Sequence, residues 1–533
     1  GEGSAMSRWT LTPRRKARIR REALSLGQAG LGALLIGGIV WAGTQPQVTD
    51  WVDGLSFVRE ESEGVTPGST TVALEQATLI CPGPELIGLE GAREVPLATS
   101  ATVISPPLDV LGDIPKPAGE SALELLAPTA AEVEPVSAED PATGVTGPLS
   151  QATAYLAVGY GSVAPGMVAT QEVRAQPADS DAPEPDPAAE GDAAPDVEEV
   201  AGLASVPCQA PRSSSWVLGG GGAPGRAERL IISNPGSNPV TVGITAFGAE
   251  GTRAPAGGQG LVIPAQGRVV LLVDGLVEGE ATPAFRIDAE GGDVVAVMVE
   301  TAIEGTQPMG IDVVAATAEP SEEQVIPGVF VPEAGAGTLT LRVVNPGETE
   351  VIGTVTALTA TGELPLPNAV LRAPAGSVVD VTLEGLPAGP TSLAVAADAP
   401  IVAAARTQLT GASYDAGWAV SQMPATGVTG AALPAREGIT RSAVIAARGA
   451  GATVRVTELV DGRANTSDVL VPTDATVVFP LTGSGVWLET VNGTGEVYAA
   501  VLSTNSDDTA AISSMPVIRP EVSARRSEVI PLG

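Results

Sequence analysis

Beyond residue 212 the chain alternates short apolar runs with Gly/Pro turns, and one pattern recurs. Val240-Thr-Val-Gly-Ile-Thr-Ala-Phe247, Gly353-Thr-Val-Thr-Ala-Leu358 and Ala452-Thr-Val-Arg-Val-Thr457 alternate apolar and polar residues, the period of a strand with one buried face. Runs such as Val294 to Val299 are apolar at every position, as a strand central to a core requires. Leu230-Ile-Ile-Ser-Asn-Pro-Gly236 is matched by Leu341-Arg-Val-Val-Asn-Pro-Gly347, and Gly251 and Gly362 each follow their Asn by 17 residues. A third, degraded copy holds Ala443 to Ala450, Val471 to Val478 and Val497 to Thr504. A period of about 100 residues suits one sandwich domain per repeat and is too long for a solenoid. The pattern predicts tandem immunoglobulin- or fibronectin-like β-sandwich modules at residues 212–318, 325–423 and 428–517, with a tail at 518–533. The connectors are short, which predicts a semi-rigid array.

One segment breaks the β pattern. Residues 23–43 carry no charge and follow seven bases and two acids in residues 1–22. At about 1.5 Å per residue such a helix spans a hydrocarbon core of about 30 Å. The basic flank places the N-terminus in the cytoplasm and the bulk outside. The mostly β chain is thus read with an N-terminal transmembrane anchor and a linker at 44–69. A cleaved signal peptide is the alternative, with Val40-Trp41-Ala42 as the cleavage sequence. Ala29, Ala33 and Gly37 form a small-residue stripe that is a candidate for packing on another membrane helix; a Gly/Ala-rich composition is its simpler explanation.

Residues 70–211 read as a separate β module. It is bracketed by the only two cysteines, Cys81 and Cys208, which outside the membrane predict a disulfide. Two loose inserts are expected inside it: 105–149, with a helix-like stretch at 121–126, and 176–199, which holds nine acids and no base and cannot bury enough apolar surface to order itself. Net charge is −34, and +5 of opposing charge is confined to residues 1–22. That field argues against a nucleic-acid partner.

Chemistry is sparse. The chain has no histidine, so the usual neutral-pH base, the Ser-His-Asp arrangement and His metal ligands are absent. Gly220, Gly222 and Gly225 fit Gly-x-Gly-x-x-Gly, but a strand follows them instead of a helix, so the run is read as a flexible loop leading into a sandwich. Asp179 with Asp181, and Asp507 with Asp508, lack the spacing of a calcium loop. No catalytic, cofactor-binding or metal-binding residue is assigned, and a carboxylate-only hydrolase is the sole enzyme reading left. Trp418 and Tyr414, in a stretch read as a loop, are the candidate ligand contacts; Trp216 is read as core.

The basic N-terminus, the single span, the Cys81/Cys208 bracket and Ser215-Trp-Val-Leu-Gly-Gly-Gly-Gly222 leading to Arg229-Leu-Ile-Ile-Ser-Asn-Pro-Gly236 resemble an uncharacterised actinobacterial family of membrane-anchored, extracytoplasmic β-sandwich proteins, a domain of unknown function. The likeness implies no catalytic residues and implies an envelope glycosyltransferase as partner. The expected function is a non-enzymatic structural or accessory protein of a bacterial cell envelope, acting through protein–protein contacts. The alternative is an adhesin-like module that binds envelope glycan or a surface.

Overall fold

A computed structural model describes residues 69–84, 97–129, 135–137, 144–175, 202–222, 225–304, 307–411, 414–436, 438–505 and 511–527. The anchor segment with Ala29, Ala33 and Gly37, and the acidic stretch 176–199, lie outside them. Among the described residues no helix is long and apolar enough to cross a membrane. The described residues are mostly β, with 62% strand and 4% helix.

Residues 71–525 form one compact unit built of four sandwiches, all with the same strand connectivity. In the first, Gln76–Cys81, Tyr155–Tyr160, Ala122–Leu126 and Val136–Ser137 make one sheet, and Val145–Pro148, Leu97–Ile104, Val168–Ala175 and Leu203–Pro207 the other. In the second, Ser214–Leu218, Ala284–Glu290 and Val240–Gly248, edged by Gly251–Arg253 and Leu261–Ile263, face Arg268–Leu272, Arg226–Ser233, Val295–Glu304 and Gln307–Val314. The third repeats this with one long strand, Gly389–Leu409, whose first half pairs with Ser321–Val331 and Val351–Thr359 and whose second half pairs with Gly337–Val344 and Asp415–Val420. The fourth consists of Thr429–Ala432, Gly485–Gly493, Ala452–Val460 and Arg463–Val471 over Ala475–Leu481, Ile439–Arg448, Glu496–Asn505 and Ile512–Pro516.

Two expectations for the first sandwich change. Residues 105–149 are not a loose insert throughout: they supply the strands Ala122–Leu126, Val136–Ser137 and Val145–Pro148. The helix-like stretch is a strand, because Leu123 and Leu125 alternate with Glu124 and turn into the core, a period of two. This sandwich is therefore a fourth copy of the repeated topology. Its sheets are bridged by the Cys81–Cys208 disulfide, across 127 residues of sequence.

The repeated Asn-Pro-Gly does more than turn the chain. Asn234 is buried, and its Nδ2 donates to the carbonyls of Asn238 (2.8 Å), Ile263 (3.3 Å) and Pro264 (3.0 Å), while its Oδ1 accepts the Gly236 amide at 2.8 Å. Asn345 does the same to Thr349, Ala373, Pro374 and Gly347, at 2.7 to 3.1 Å. Each Asn ties its own turn to a distant strand end and satisfies carbonyls that burial would otherwise leave unpaired.

The four sandwiches do not form an open array; they close into a ring. Their last strands, Leu203–Pro207, Gln307–Val314, Asp415–Val420 and Ile512–Pro516, pack against one another in cyclic order at the centre. Apolar contacts run from the second sandwich into both the first and the third (Ile80, Val206, Val402, Trp418). Others join the third to the fourth (Val325, Ala446, Tyr498) and the fourth to the first (Ile104, Val168, Trp487). Trp487 Nε1 donates to the Gly166 carbonyl at 2.8 Å and Thr170 Oγ1 to the Ala432 carbonyl at 2.8 Å, closing the circle.

Candidate functional site

The centre of the ring is organised by one carboxylate. Asp415 begins the central strand of the third sandwich and is fully buried. Its Oδ2 accepts the amides of Leu203 (3.2 Å) and Ile512 (2.8 Å), and its Oδ1 those of Ala416 (2.9 Å) and Ile311 (3.4 Å). One amide from each of the four central strands therefore converges on a single side chain. Such close approach requires glycine: a Cβ on Gly202 would lie 2.5 Å from Asp415 Oδ1, and one on Gly310 2.4 Å from the Ala416 nitrogen. Burial pushes the Asp415 pKa well above the usual carboxylate range, and the amides of Ile512, Ala416 and Leu203 oppose that shift. Beside it, burial raises Asp312 to about 8 against hydrogen bonds from the amides of Trp418 (2.6 Å) and Val313 (2.8 Å). At the opposite end of the central strands the four segments that follow them line a cavity of about 510 Å³, with Arg212, Thr317, Ser421 and Arg519 in its wall.

Arginines staple each junction of the ring. Arg268 of the second sandwich donates to the carbonyls of Pro82 and Pro84, at 2.6 and 2.7 Å. Arg448 of the fourth pairs with Glu323 and Glu363 of the third, and Arg436 and Arg441 of the fourth clamp Glu172 of the first. Glu172 is wholly buried, and a buried carboxylate is tolerable only when so paired.

The junction of the second and third sandwiches carries the densest chemistry. Glu300, on Val295–Glu304, pairs with Arg226 (3.3 Å) and Arg406 (3.0 Å) and accepts hydrogen bonds from Trp418 Nε1 (2.8 Å) and the Gly220 amide (3.1 Å). Burial works to raise its pKa, but Arg406 and Arg226, helped by Trp418, outweigh it and hold the group at about 2. Arg342 lies over the Trp418 ring at 5.0 Å, pairs with Asp380 at 2.8 Å, and donates to the carbonyls of Gly219, Gly220 and Pro283. Glu228 accepts the Gly221 amide at 2.7 Å; burial, then the charge of Glu300, raise it to about 7. These groups surround a cavity of about 240 Å³ lined by Gly221, Gly222, Arg226, Thr340, Arg342, Asp380, Arg406 and Trp418.

Trp418 is thus not on a loop. It sits within the strand Asp415–Val420 at 2% exposure, one ring face covered by Arg342 and its indole N–H committed to Glu300. Tyr414, just before that strand, is half-buried. Trp216 is core, stacked obliquely on Phe247 at 5.1 Å. The glycine run is a loop leading into a sandwich, and within it Gly219 to Gly221 are buried; a Cβ on Gly221 would fall 2.9 Å from Arg226 Nη1. Asp179, Asp181, Asp507 and Asp508 lie outside the described residues, among which no group of three or more acids or cysteines is placed to hold a metal ion. Sequence reasoning missed Glu300, Arg226, Arg342, Arg406 and Asp415. The available signal was charge interrupting otherwise apolar central strands.

The chain belongs to a family of unknown function, DUF5719, whose model matches residues 150–482. No curated protein matches it.

Proposed function

We propose that the chain is a membrane-anchored, extracytoplasmic, non-enzymatic accessory protein of a bacterial envelope. Its immunoglobulin- or fibronectin-like sandwiches form a rigid platform for protein–protein contact, with an envelope glycosyltransferase as the first partner to test. The observation that carries this reading is where the polar groups go. Of the four buried acids with shifted pKa values, Glu300, Asp312 and Asp415 join one sandwich to another, an arrangement that serves rigidity; the fourth, Glu228, bonds within its own sandwich. The outer edges, in contrast, are left to solvent. Arg463–Val471 pairs on one side only; residues 463–468 are exposed throughout and Leu470 is 71% exposed. Val370 and Val262 are exposed on the corresponding edge strands of the third and second sandwiches. Exposed edges with outward aliphatic side chains are surfaces a partner strand can extend.

Affinity purification of the full-length protein from solubilised membranes, followed by mass spectrometry, tests the reading. The expected result is a stoichiometric envelope protein whose recovery falls when Leu470→Lys places a charge on the edge. Absence of any reproducible partner contradicts it.

A further inference from the structure

We infer that the 240 Å³ cavity between the second and third sandwiches is a binding site for a single oxyanion group, carboxylate or phosphate, carried on a small polar molecule. The inference rests on charge, donor geometry and access, and it does not depend on the contact-platform reading above.

The wall of this cavity reverses the charge of the rest of the chain. Three arginines, Arg226, Arg342 and Arg406, line it with one acid, Asp380, and with Glu300 behind. Asp380 neutralises Arg342 at 2.8 Å, and Glu300 is shared by the other two. One positive charge is left over, in a protein whose net charge is −34. A surplus cation held against a low-dielectric wall attracts an anion more strongly than the same cation in water.

Donors are also left over. Arg406 uses Nε and Nη2 on Glu300, and Arg226 uses Nη1. Among the described residues, Arg406 Nη1 and Arg226 Nε and Nη2 have no acceptor. Planar guanidinium donors of this kind match the two oxygens of a carboxylate or phosphate. Arg342, by comparison, is fully engaged with four carbonyls and Asp380 and acts as scaffold. The Arg226 side chain is 24% exposed and that of Arg406 12%, so a ligand can reach them. The hydroxyl of Thr340 and the carboxylate of Asp380 give the remainder of the ligand hydrogen-bonding partners, which favours a polar body over an alkyl one.

Glu228 sets a pH dependence. It is buried beside Gly220 and Gly221, and Glu300, Arg226 and Asp274 are the charged groups acting on it. Once ionised it cancels the surplus positive charge. Anion affinity therefore falls as pH rises through neutrality.

The test is titration calorimetry on the full chain at constant ionic strength, with inorganic phosphate, glucuronate and, as neutral control, glucose. The expected result at pH 6 is saturable binding of one equivalent of an anion and none of glucose. Saturation by phosphate alone supports a phosphate-ester ligand, and by glucuronate alone a carboxylate ligand. Arg226→Gln should weaken binding at least about tenfold, as should moving to pH 8 with glucuronate, whose charge is the same at both pH values, and Glu228→Gln should abolish that pH effect. Thr340→Leu narrows the cavity without altering charge and should also weaken binding, so the inference stays testable if the arginine variant misfolds. No saturable binding of either anion at pH 6, or equal affinity in folded Arg226→Gln and Thr340→Leu, overturns it. A partner recovered from membranes without anion binding would sink this inference and leave the platform reading standing.

Discussion

Asp415 Oδ2 accepts the amide of Ile512 at 2.8 Å although 97 residues separate the two. The same carboxylate holds the amides of Leu203, Ile311 and Ala416, so the ring has one buried acceptor at the point where all four sandwiches meet. Replacing Asp415 by Ala should leave these amides without a partner. Each unsatisfied buried donor costs about 1–3 kcal/mol, and a loss of about 3–5 kcal/mol is expected in urea unfolding. Asn should lose somewhat less, since it keeps one acceptor oxygen. A variant within 1 kcal/mol of wild type, on the scale of surface substitutions at about 0.5 kcal/mol, would remove Asp415 from its central role.

The disulfide acts on the first sandwich. Cys81 and Cys208 close a long loop, for which the chain-entropy argument gives about 4–5 kcal/mol. Reduction, or Cys81→Ser with Cys208→Ser, should lower the stability of the ring by up to that amount. An unchanged denaturation midpoint after thiol titration confirms full reduction would contradict this.

Stability should fall with rising pH through neutrality. Asp312 at about 8 and Glu228 at about 7 lie above the unfolded values of about 4. The folded state therefore keeps protons that the unfolded chain releases. The stabilisation is fully present below about pH 4 and is lost as pH rises through 7 and 8. Asp415, also raised, acts with the same sign. Glu300, held at about 2, works oppositely: its contribution is present above about pH 4 and lost as pH falls through 2. Urea midpoints at pH 5, 6.5 and 8 should decline in that order, and Asp312→Asn should flatten the decline. A midpoint that rises from pH 5 to 8 would contradict the assignment.

Ring closure depends on Trp487. It packs with Ile104 and Val168 of the first sandwich and donates to the Gly166 carbonyl. Trp487→Ala removes a large buried side chain, with an expected cost of about 3–5 kcal/mol. Hydrogen exchange should report faster exchange at Thr170 and Ala432, across that junction, than at Ile232 in the core of the second sandwich. Uniform acceleration would instead indicate a general loss of stability.

The strands of three sandwiches were legible because a buried face imposes alternation, and the Asn-Pro-Gly turn marks two of the three copies. The first sandwich hid its kinship: it has no Asn-Pro-Gly, and polar inserts interrupt its strands. Ring closure left almost no trace. Leu203, Ile311 and Ile512 contribute backbone amides to Asp415, and an amide has no side-chain signature. The one clue was an acid opening an otherwise uncharged strand. Trp418 looked like a loop residue because Gly411 and Gly417 flank it, yet Gly417 packs tightly against Ile512. The cavity arginines were invisible as a group because they come from strands far apart in sequence, and only the ring brings them together.

Small-angle X-ray scattering of residues 71–525 is the measurement that decides most directly whether the sandwiches close. A compact ring of this size should give a radius of gyration of about 22–25 Å, whereas a linear string of four such domains would give roughly 40 Å. A value near the first, unchanged between low and high salt, is the predicted result. A value near the second, or a distance distribution with a long tail, would contradict the closed ring and with it the central role of Asp415.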